Sequence, residues 1–264
     1  MEHIYNKLIE TISNISSVQS IGKTGTKELP LSNESDIDIF IFCNEVPNSE
    51  LRKKYYDSTD YNLIIVQHDI ESKHWGIMDF ISIDNKEVCL MYFKVNQAID
   101  EINNILSGNR LEKEDNYFYP IGRCATLREI NILFDKDNFL TNLKSKLSVF
   151  PDVLYSKKIE HHLNKLSDNE DFERAVSRKD ILHYHFALDI ALDHFLQLLF
   201  TINFSYFPSR KRSFDYINKF LIKPNDTVNR ILKTLELGGN IETISSSYKN
   251  WEEICNETKN LIRN

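Results

Sequence analysis

The chain has 264 residues and a mass of 31.1 kDa, with 41% hydrophobic and 27% charged residues. This balance is typical of globular proteins and excludes a disordered chain, a collagen-like fibre and a disulfide-stabilised scaffold, while the length suits one large domain or two modest ones. The net charge of −7 argues against a protein that coats nucleic acid by charge alone, because binding to a phosphate backbone needs positive charge.

The first half of the chain mixes helical and strand patterns. Apolar residues at helical spacing predict a helix over residues 3–13, and an apolar run predicts a strand over residues 36–43. The other predicted elements of this half are strands at 61–67, 78–83 and 87–94, a turn at 84–86 that makes the last two a hairpin, and a helix at 95–107.

After about residue 127 the strand signals stop and helical patterns take over. The predicted helices cover residues 127–134, 137–149, 153–166, 178–204, 213–221, 225–237 and 249–263. Pro151 and Pro208 interrupt this series, and Gly238-Gly239 indicates the end of a helix.

Strands followed by helices predict an α+β fold class. We expect an N-terminal domain with a mixed β-sheet at residues 1–135 and a C-terminal all-helical domain at residues 136–264. No Gly/Ser-rich linker fixes the boundary, and the patterns allow it anywhere from residue 113 to residue 150.

The cysteines and the apolar segments bear on location. The four cysteines lie far apart and form no Cys-x-x-Cys pair, so we expect buried reduced thiols. The N-terminus has no signal-peptide pattern, and acidic residues interrupt the most apolar stretch, residues 186–204. We therefore expect a cytoplasmic protein with no membrane partner.

The most informative segment runs from Ile21 to Cys43. It contains Gly25-Thr26 and, after nine residues, Asp36 and Asp38 at the start of the predicted strand. Side chains alternate along a strand, so the two carboxylates share one face with Cα atoms about 6.6 Å apart. That spacing suits Mg²⁺, which takes oxygen ligands and binds substrate phosphates, and a Gly-Thr turn lets a phosphate approach the backbone. The alternative is that Asp36 only borders a strand and Asp38 faces solvent.

At these residues the sequence resembles the nucleotidyltransferases of the DNA polymerase β superfamily. Their signature is an apolar residue, Gly-Ser, a short spacer and an Asp-x-Asp on a strand; Gly25-Thr26 replaces Gly-Ser and keeps the hydroxyl. Three further runs are similar to a bacterial branch in which a helical domain follows the catalytic one, as in antibiotic nucleotidyltransferases. These runs are residues 178–185, 192–200 and 207–212.

The resemblance implies Mg²⁺ as cofactor and ATP or another nucleoside triphosphate as substrate. It makes Asp36 and Asp38 the metal ligands and catalytic residues, and Gly25, Thr26 and Ser35 residues that bind the nucleotide. The first domain would then be the nucleotidyltransferase domain and the second would close the cleft and choose the acceptor.

The resemblance also implies a third carboxylate on a neighbouring strand, at the position that Cys89 occupies here. A thiol is a poor ligand for Mg²⁺. Glu87 lies two residues earlier on the same strand face, so we expect it to act as the third catalytic carboxylate. Asp79, on the other strand of the hairpin, is a second candidate.

The helical half contains two further candidate features. A row of residues at four-residue spacing would share one helix face. That face could act as a base for the substrate hydroxyl or bind a cationic substrate. The alternative is that these side chains make interhelix hydrogen bonds or face solvent. The row is His185, Asp189, Asp193, Gln197 and Thr201. Arg210 and Lys211 are predicted to contact the triphosphate, the alternative being a solvated cationic face. We expect His161 and His162 at the surface.

These features predict transfer of a nucleotidyl group to an acceptor hydroxyl, for example on an antibiotic. One alternative is a toxin-like enzyme that modifies RNA or protein, although the acidic chain makes a nucleic-acid partner less favourable. The other is a module that binds a nucleotide or a protein partner and has lost catalysis at Cys89.

Overall fold

The computed structural model of the chain describes residues 2–25, 36–59 and 63–263. It confirms the predicted α+β class, with a mixed six-stranded sheet in the N-terminal half followed by helices. The chain forms two compact units, Met1–Asn104 with Arg123–Val149, and Ile105–Gly122 with Phe150–Asn264. The predicted boundary between residues 135 and 136 falls inside the first unit, and as a division of function it stays a prediction.

The first unit is built on one sheet with the strand order β3-β4-β5-β2-β1-β6. The strands are β1 (Val18–Lys23), β2 (Ile37–Cys43), β3 (Leu63–Ser72), β4 (Gly76–Ile83), β5 (Lys86–Lys94) and β6 (Asn131–Asp135). The central strands β2 and β5 are parallel, and the four other neighbouring pairs are antiparallel.

Eleven helices are described around and after these strands. In chain order they are α1 (Glu2–Ser13), α2 (Ser49–Asp57), α3 (Val95–Leu106), α4 (Pro120–Glu129), α5 (Phe139–Leu147), α6 (Asp152–Leu166), α7 (Glu170–Arg178), α8 (Ile181–Ile202), α9 (Ser213–Lys219), α10 (Thr227–Gly238) and α11 (Ile244–Arg263).

The predicted hairpin is present as β4 and β5. Ile83 pairs with Lys86, so only Asp84 and Asn85 form the loop. Both loop residues have positive φ, at 50° and 63°, which is the backbone of a type I′ turn and matches the right-handed twist of the strands. Asp and Asn tolerate this conformation better than most residues, which is why this sequence turns here.

The two faces of the sheet carry different side chains. On one face, Ile39 and Ile41 of β2 are fully buried together with Leu8 and Ile12 of α1. On the other face, the Phe40 ring lies 5.0 Å from that of Phe93, and aromatic contacts continue along β2 toward α5. Both faces of β2 are therefore covered along most of its length, which holds the strand rigidly.

Five elements were not predicted, and one predicted helix was wrong. The unpredicted elements are β1, β6, α2, α4 and α7. The helix predicted at 127–134 is instead the end of α4 followed by strand β6. Its short apolar run is compatible with either state, and antiparallel pairing with β1 decides for the strand. The helix predicted at 178–204 begins at Ile181, because Lys179 has a φ of 53° and ends α7.

In the second unit, α8 packs against α6, α7 and α11. By length and composition it is apolar enough to cross a membrane, yet 67% of its most apolar window is buried inside the protein. That burial is typical of a central core helix. The surface prediction for His161 and His162 was wrong: His162 is 0% exposed, and His161 is mostly buried, because α6 packs this face against α8.

All four cysteines are reduced and buried, as predicted. Burial is the main cause that raises the pKa of the Cys43 and Cys255 thiols to about 12. These thiols therefore stay protonated at neutral pH and pack as small apolar groups.

Candidate active site

The parallel pairing of β2 and β5 brings the predicted acidic residues to one face of the sheet. Asp38 lies opposite Cys89 and Ile37 lies opposite Val88. One step earlier on each strand are Asp36 and Glu87, which are both exposed, while Asp38 is half-buried. Because alternate residues share a face, the three carboxylates surround the Cys89 thiol at the start of two adjacent strands.

The neighbouring carboxylates also affect the Cys89 thiol. Burial raises the pKa of this thiol to about 12, and the negative charges of Asp38, Glu87, Asp36 and, last, Asp79 add to that shift. The thiol is therefore neutral at physiological pH and supplies no anionic ligand. Carboxylates that share one face of adjacent strands repel one another, and a bound cation would relieve the repulsion.

The end of β1 places the predicted glycine beside this acidic cluster. The Thr24 amide donates a hydrogen bond of 2.9 Å to the Asp38 carbonyl oxygen. The next residue, Gly25, is exposed and has a φ of 115°, a conformation that residues with a Cβ rarely adopt. The chain therefore needs glycine where it leaves the sheet next to Asp38. The other two predicted nucleotide-binding residues, Thr26 and Ser35, lie outside the described residues.

Asp79, the second candidate for the third carboxylate, lies on the opposite face of the sheet. It pairs with Leu90, a core residue, and is 0% exposed. Its carboxylate accepts hydrogen bonds from Arg52 Nε at 2.7 Å, from the Tyr56 hydroxyl at 2.5 Å and from the Asp69 amide at 2.8 Å. Asp79 is thus a buried structural ion-pair partner, and its prediction as a ligand near Asp38 was wrong.

A cation that the sequence analysis missed lies farther along the face that carries Asp38. The Arg123 guanidinium is nearly buried and stands over three rings, 4.7 Å from the Trp75 centroid, 4.8 Å from Phe93 and 5.6 Å from Phe40. Its Nε is 3.6 Å from a carboxylate oxygen of Glu101. The only signal in the sequence was an arginine inside the apolar run of α4.

The predicted residues of the helical unit are engaged with one another. Asp193 is 5% exposed and accepts hydrogen bonds from Lys113 Nζ and the Tyr119 hydroxyl, both at 2.6 Å. Arg210 forms ion pairs with Asp193 and Asp189. Asp193 is thus hydrogen-bonded, but to residues of the segments between helices rather than to another helix. Arg210 and Lys211 as phosphate contacts remain a prediction.

The next member of the predicted row is hydrogen-bonded between two helices. Gln197 is buried on α8 and accepts a hydrogen bond of 2.9 Å from Lys158 Nζ on α6. His185 is half-buried, Asp189 is exposed and Thr201 is buried, so the row does not form one accessible face.

A cavity of about 410 Å³ lies in the first unit, away from the acidic cluster. Its lining includes Gln19 at the start of β1, Asn44 just after β2 and Val95 just after β5. These positions are at the ends of the strands opposite to Asp36. Of the predicted site residues that the structure describes, none lines this cavity.

Residues 120–212 match a protein-family profile described as "Domain of unknown function (DUF4037)". This stretch is less than half of the chain and contains none of Gly25, Asp36, Asp38 and Glu87. No curated protein matches the sequence. Among solved structures, the chain is similar to the crystal structure of a nucleotidyltransferase-like protein from Exiguobacterium sibiricum 255-15, with 14% sequence identity, a TM-score of 0.48 and an alignment that covers 99% of this chain and 78% of that one.

Proposed function

We propose that the protein is a Mg²⁺-dependent nucleotidyltransferase that uses ATP or another nucleoside triphosphate and modifies a hydroxyl of a small molecule such as an antibiotic. The observation that carries the proposal is the parallel pairing of β2 and β5. It gathers Asp36, Asp38 and Glu87 on one face, at the end of the sheet where Gly25 leaves β1.

The side chains present suit a hard divalent cation. Asp36 and Asp38 offer carboxylate oxygens, which Mg²⁺ prefers, and the neutral Cys89 thiol does not compete. Asp36 and Asp38 would hold the ion, and it would supply neutralisation of the charge on the transferring phosphate. Gly25, without a side chain, leaves room for phosphate oxygens near the backbone.

Glu87 is the group that would accept a proton. It is exposed on β5, two residues before Cys89 and on the same face, so its carboxylate can reach an acceptor molecule from solvent. It would take the proton of the acceptor hydroxyl while that oxygen bonds to the α-phosphorus and pyrophosphate leaves. A general base contributes about 10²–10⁴-fold in rate, which is the expected loss in Glu87→Gln.

The test measures nucleotide binding and transfer separately. Calorimetry with Mg²⁺-ATP should show binding to the wild type and none to Asp36→Asn or Asp38→Asn. The control is Asp100→Asn, which removes one exposed carboxylate from α3 in the same unit and should leave binding unchanged. If Asp38→Asn binds Mg²⁺-ATP as tightly as the wild type, the metal assignment is wrong.

Transfer is tested with α-labelled nucleotides and Mg²⁺ against aminoglycosides, lincosamides, tRNA and a bacterial lysate. Label on a small molecule supports the proposal. Label on RNA or on a protein would instead identify the toxin-like alternative.

A second function is favoured by one observation: a buried, neutral Cys89 lies directly opposite Asp38, where the resemblance implies a carboxylate. The protein would then bind a nucleotide without transferring it. Cys89→Asp and Glu87→Gln separate the two functions. A wild type that is inactive until Cys89→Asp is introduced identifies the binding module, whereas an active wild type slowed by Glu87→Gln identifies the enzyme.

A further inference from the structure

Three histidines meet where α6 packs against α8 in the second unit. His161 and His162 are neighbours on α6, and His194 is on α8. Their ring centroids lie 4.9 Å (His161–His162), 5.3 Å (His162–His194) and 5.8 Å (His161–His194) apart. One ligand nitrogen from each ring lies within 4.8 Å of those of the other two.

The cluster is buried and incompletely hydrogen-bonded. His162 is 0% exposed and His194 is 7% exposed. Their Nδ1 atoms are 3.0 Å apart, so one ring donates and the other accepts. Among the residues described, His162 Nε2 has no hydrogen-bond partner. A buried polar nitrogen in that state destabilises the fold unless another group satisfies it.

A nearby cation is already hydrogen-bonded. Lys158 lies one turn before His162 on α6, and its ammonium donates a hydrogen bond of 2.9 Å to Gln197 on α8, so its charge is partly dispersed. Neutral imidazole is the metal-binding form of histidine.

An acidic side chain stands at the outer edge of the cluster. One carboxylate oxygen of Glu112 is 2.9 Å from His161 Nε2, which is an ion-pair distance without hydrogen-bond geometry. In metal sites, a carboxylate that contacts one histidine nitrogen fixes the ring so that the other nitrogen can bind the ion. Glu112 also brings negative charge to a group of uncharged ligands.

We propose that His161, His162 and His194 bind a divalent transition metal of the zinc class, with Glu112 as the partner that orients His161. Three imidazole ligands suit Zn²⁺, Co²⁺ and Ni²⁺ and do not suit Mg²⁺ or Ca²⁺. The site joins two helices whose histidines are 32 residues apart in the chain, so a bound ion would cross-link α6 and α8.

The test uses the full chain without a polyhistidine tag, stripped with a chelator. Titration with Zn²⁺ should show one site in the wild type, and Co²⁺ should give the visible absorption of a bound ion. His162→Gln and His194→Gln should lose this site. The control is His183→Gln, which removes a partly exposed histidine of the same helix α8 and should bind Zn²⁺ as the wild type does.

Glu112→Gln separates a metal site from a buried group of histidines. Loss of an orienting carboxylate typically weakens metal affinity about 10–100-fold, so zinc binding should fall by that factor with the Co²⁺ band retained. Asp38→Asn should leave zinc binding unchanged, which keeps this test independent of the nucleotide site.

Wild-type protein alone can overturn the proposal if the histidine variants do not fold. Zn²⁺ should raise its melting temperature, and the rise should continue with the logarithm of Zn²⁺ concentration above the Kd, whereas Mg²⁺ should have no effect. No saturable Zn²⁺ binding, no Co²⁺ absorption, or a site that survives in His162→Gln would each show that the histidines are only hydrogen-bonded core residues.

Discussion

Replacing Asp79 by Asn removes one negative charge from the core of the first unit and keeps the shape of the side chain. In the wild type this carboxylate receives hydrogen bonds from Arg52, Tyr56 and the Asp69 amide. Arg52 is 1% exposed, so its guanidinium cannot turn to water. The Asn amide also presents donors where these partners donate, which leaves some of them unsatisfied.

The expected loss of stability is large. Removing one partner of a buried ion pair destabilises proteins by about 3–5 kcal/mol. The Arg52–Asp69 ion pair at 2.7 Å survives, but Asp69 is half-exposed, so it compensates only partly and we expect about 3 kcal/mol. For a chain of this size, 1 kcal/mol corresponds to about 2–4 °C, which gives a fall in melting temperature of roughly 6–12 °C.

The sign of the pH dependence follows from the same contacts. Burial opposes the charge of Asp79, but hydrogen bonds from Arg52, Tyr56 and the Asp69 backbone outweigh it and keep the pKa of Asp79 below 3.8. A lowered folded-state pKa stabilises the protein above the unfolded-state pKa, and this contribution is lost as pH falls through the folded-state value. The difference between wild type and Asp79→Asn should therefore be complete at pH 7 and shrink below about pH 4.

Urea unfolding followed by circular dichroism measures both the loss of stability and its dependence on pH. The double variant Arg52→Met/Asp79→Leu is the control, because an apolar pair of similar volume removes the unpaired charge and should be more stable than Asp79→Asn. Mg²⁺-ATP affinity should not change, since Asp79 faces away from Asp38. This account would be refuted if Asp79→Asn lowered the free energy of unfolding by less than about 1 kcal/mol. It would also be refuted if the folded variant no longer bound Mg²⁺-ATP.

Three smaller perturbations follow from other contacts. Asp135→Ala removes acceptors for Ser20, the first turn of α5 and Thr141, and should lower the free energy of unfolding by about 0.5–2 kcal/mol in urea. Asp193→Asn should cost about 1.5–3 kcal/mol because its charge-assisted hydrogen bonds are weakened, measured by the same titration at pH 7. Gly25→Ala must place a Cβ at a φ of 115°, and calorimetry should show Mg²⁺-ATP binding weakened by about 1–3 kcal/mol. An unchanged free energy of unfolding in either Asp variant, or an unchanged Mg²⁺-ATP affinity in Gly25→Ala, would contradict the corresponding expectation.

Local patterns were sufficient for the elements that depend on local chemistry. The Asp84-Asn85 turn and its two flanking apolar runs identified the β4–β5 hairpin, and the apolar run after Asp36 identified β2. Elements that depend on distant partners were missed. β6 forms only because it pairs with β1, and α2 buries only Arg52 and Tyr56, so its apolar periodicity is weak. An N-cap at Asn48, which accepts a hydrogen bond from the Leu51 amide, was the signal that could have revealed α2.

The distinction between local patterns and distant partners also applies to the sites. Asp36 and Asp38 share a strand, so their common face follows from sequence spacing. The predicted relation between Glu87 and that face required β5 to lie beside β2, which the parallel pairing confirms. The histidine cluster could not be predicted, because helical periodicity places His162 and His194 on separate helices and only the packing of α6 against α8 brings them together.

The strand order has a consequence for the growing chain during synthesis. β1 receives one partner early, from β2, but its second partner β6 is made only after residues 105–122, which belong to the other unit. Until then the nascent sheet presents an open edge of unsatisfied amides and carbonyls, which invites pairing with another chain. Overproduction would therefore favour aggregation of nascent chains, and cutting the chain after residue 122 would keep that edge open permanently.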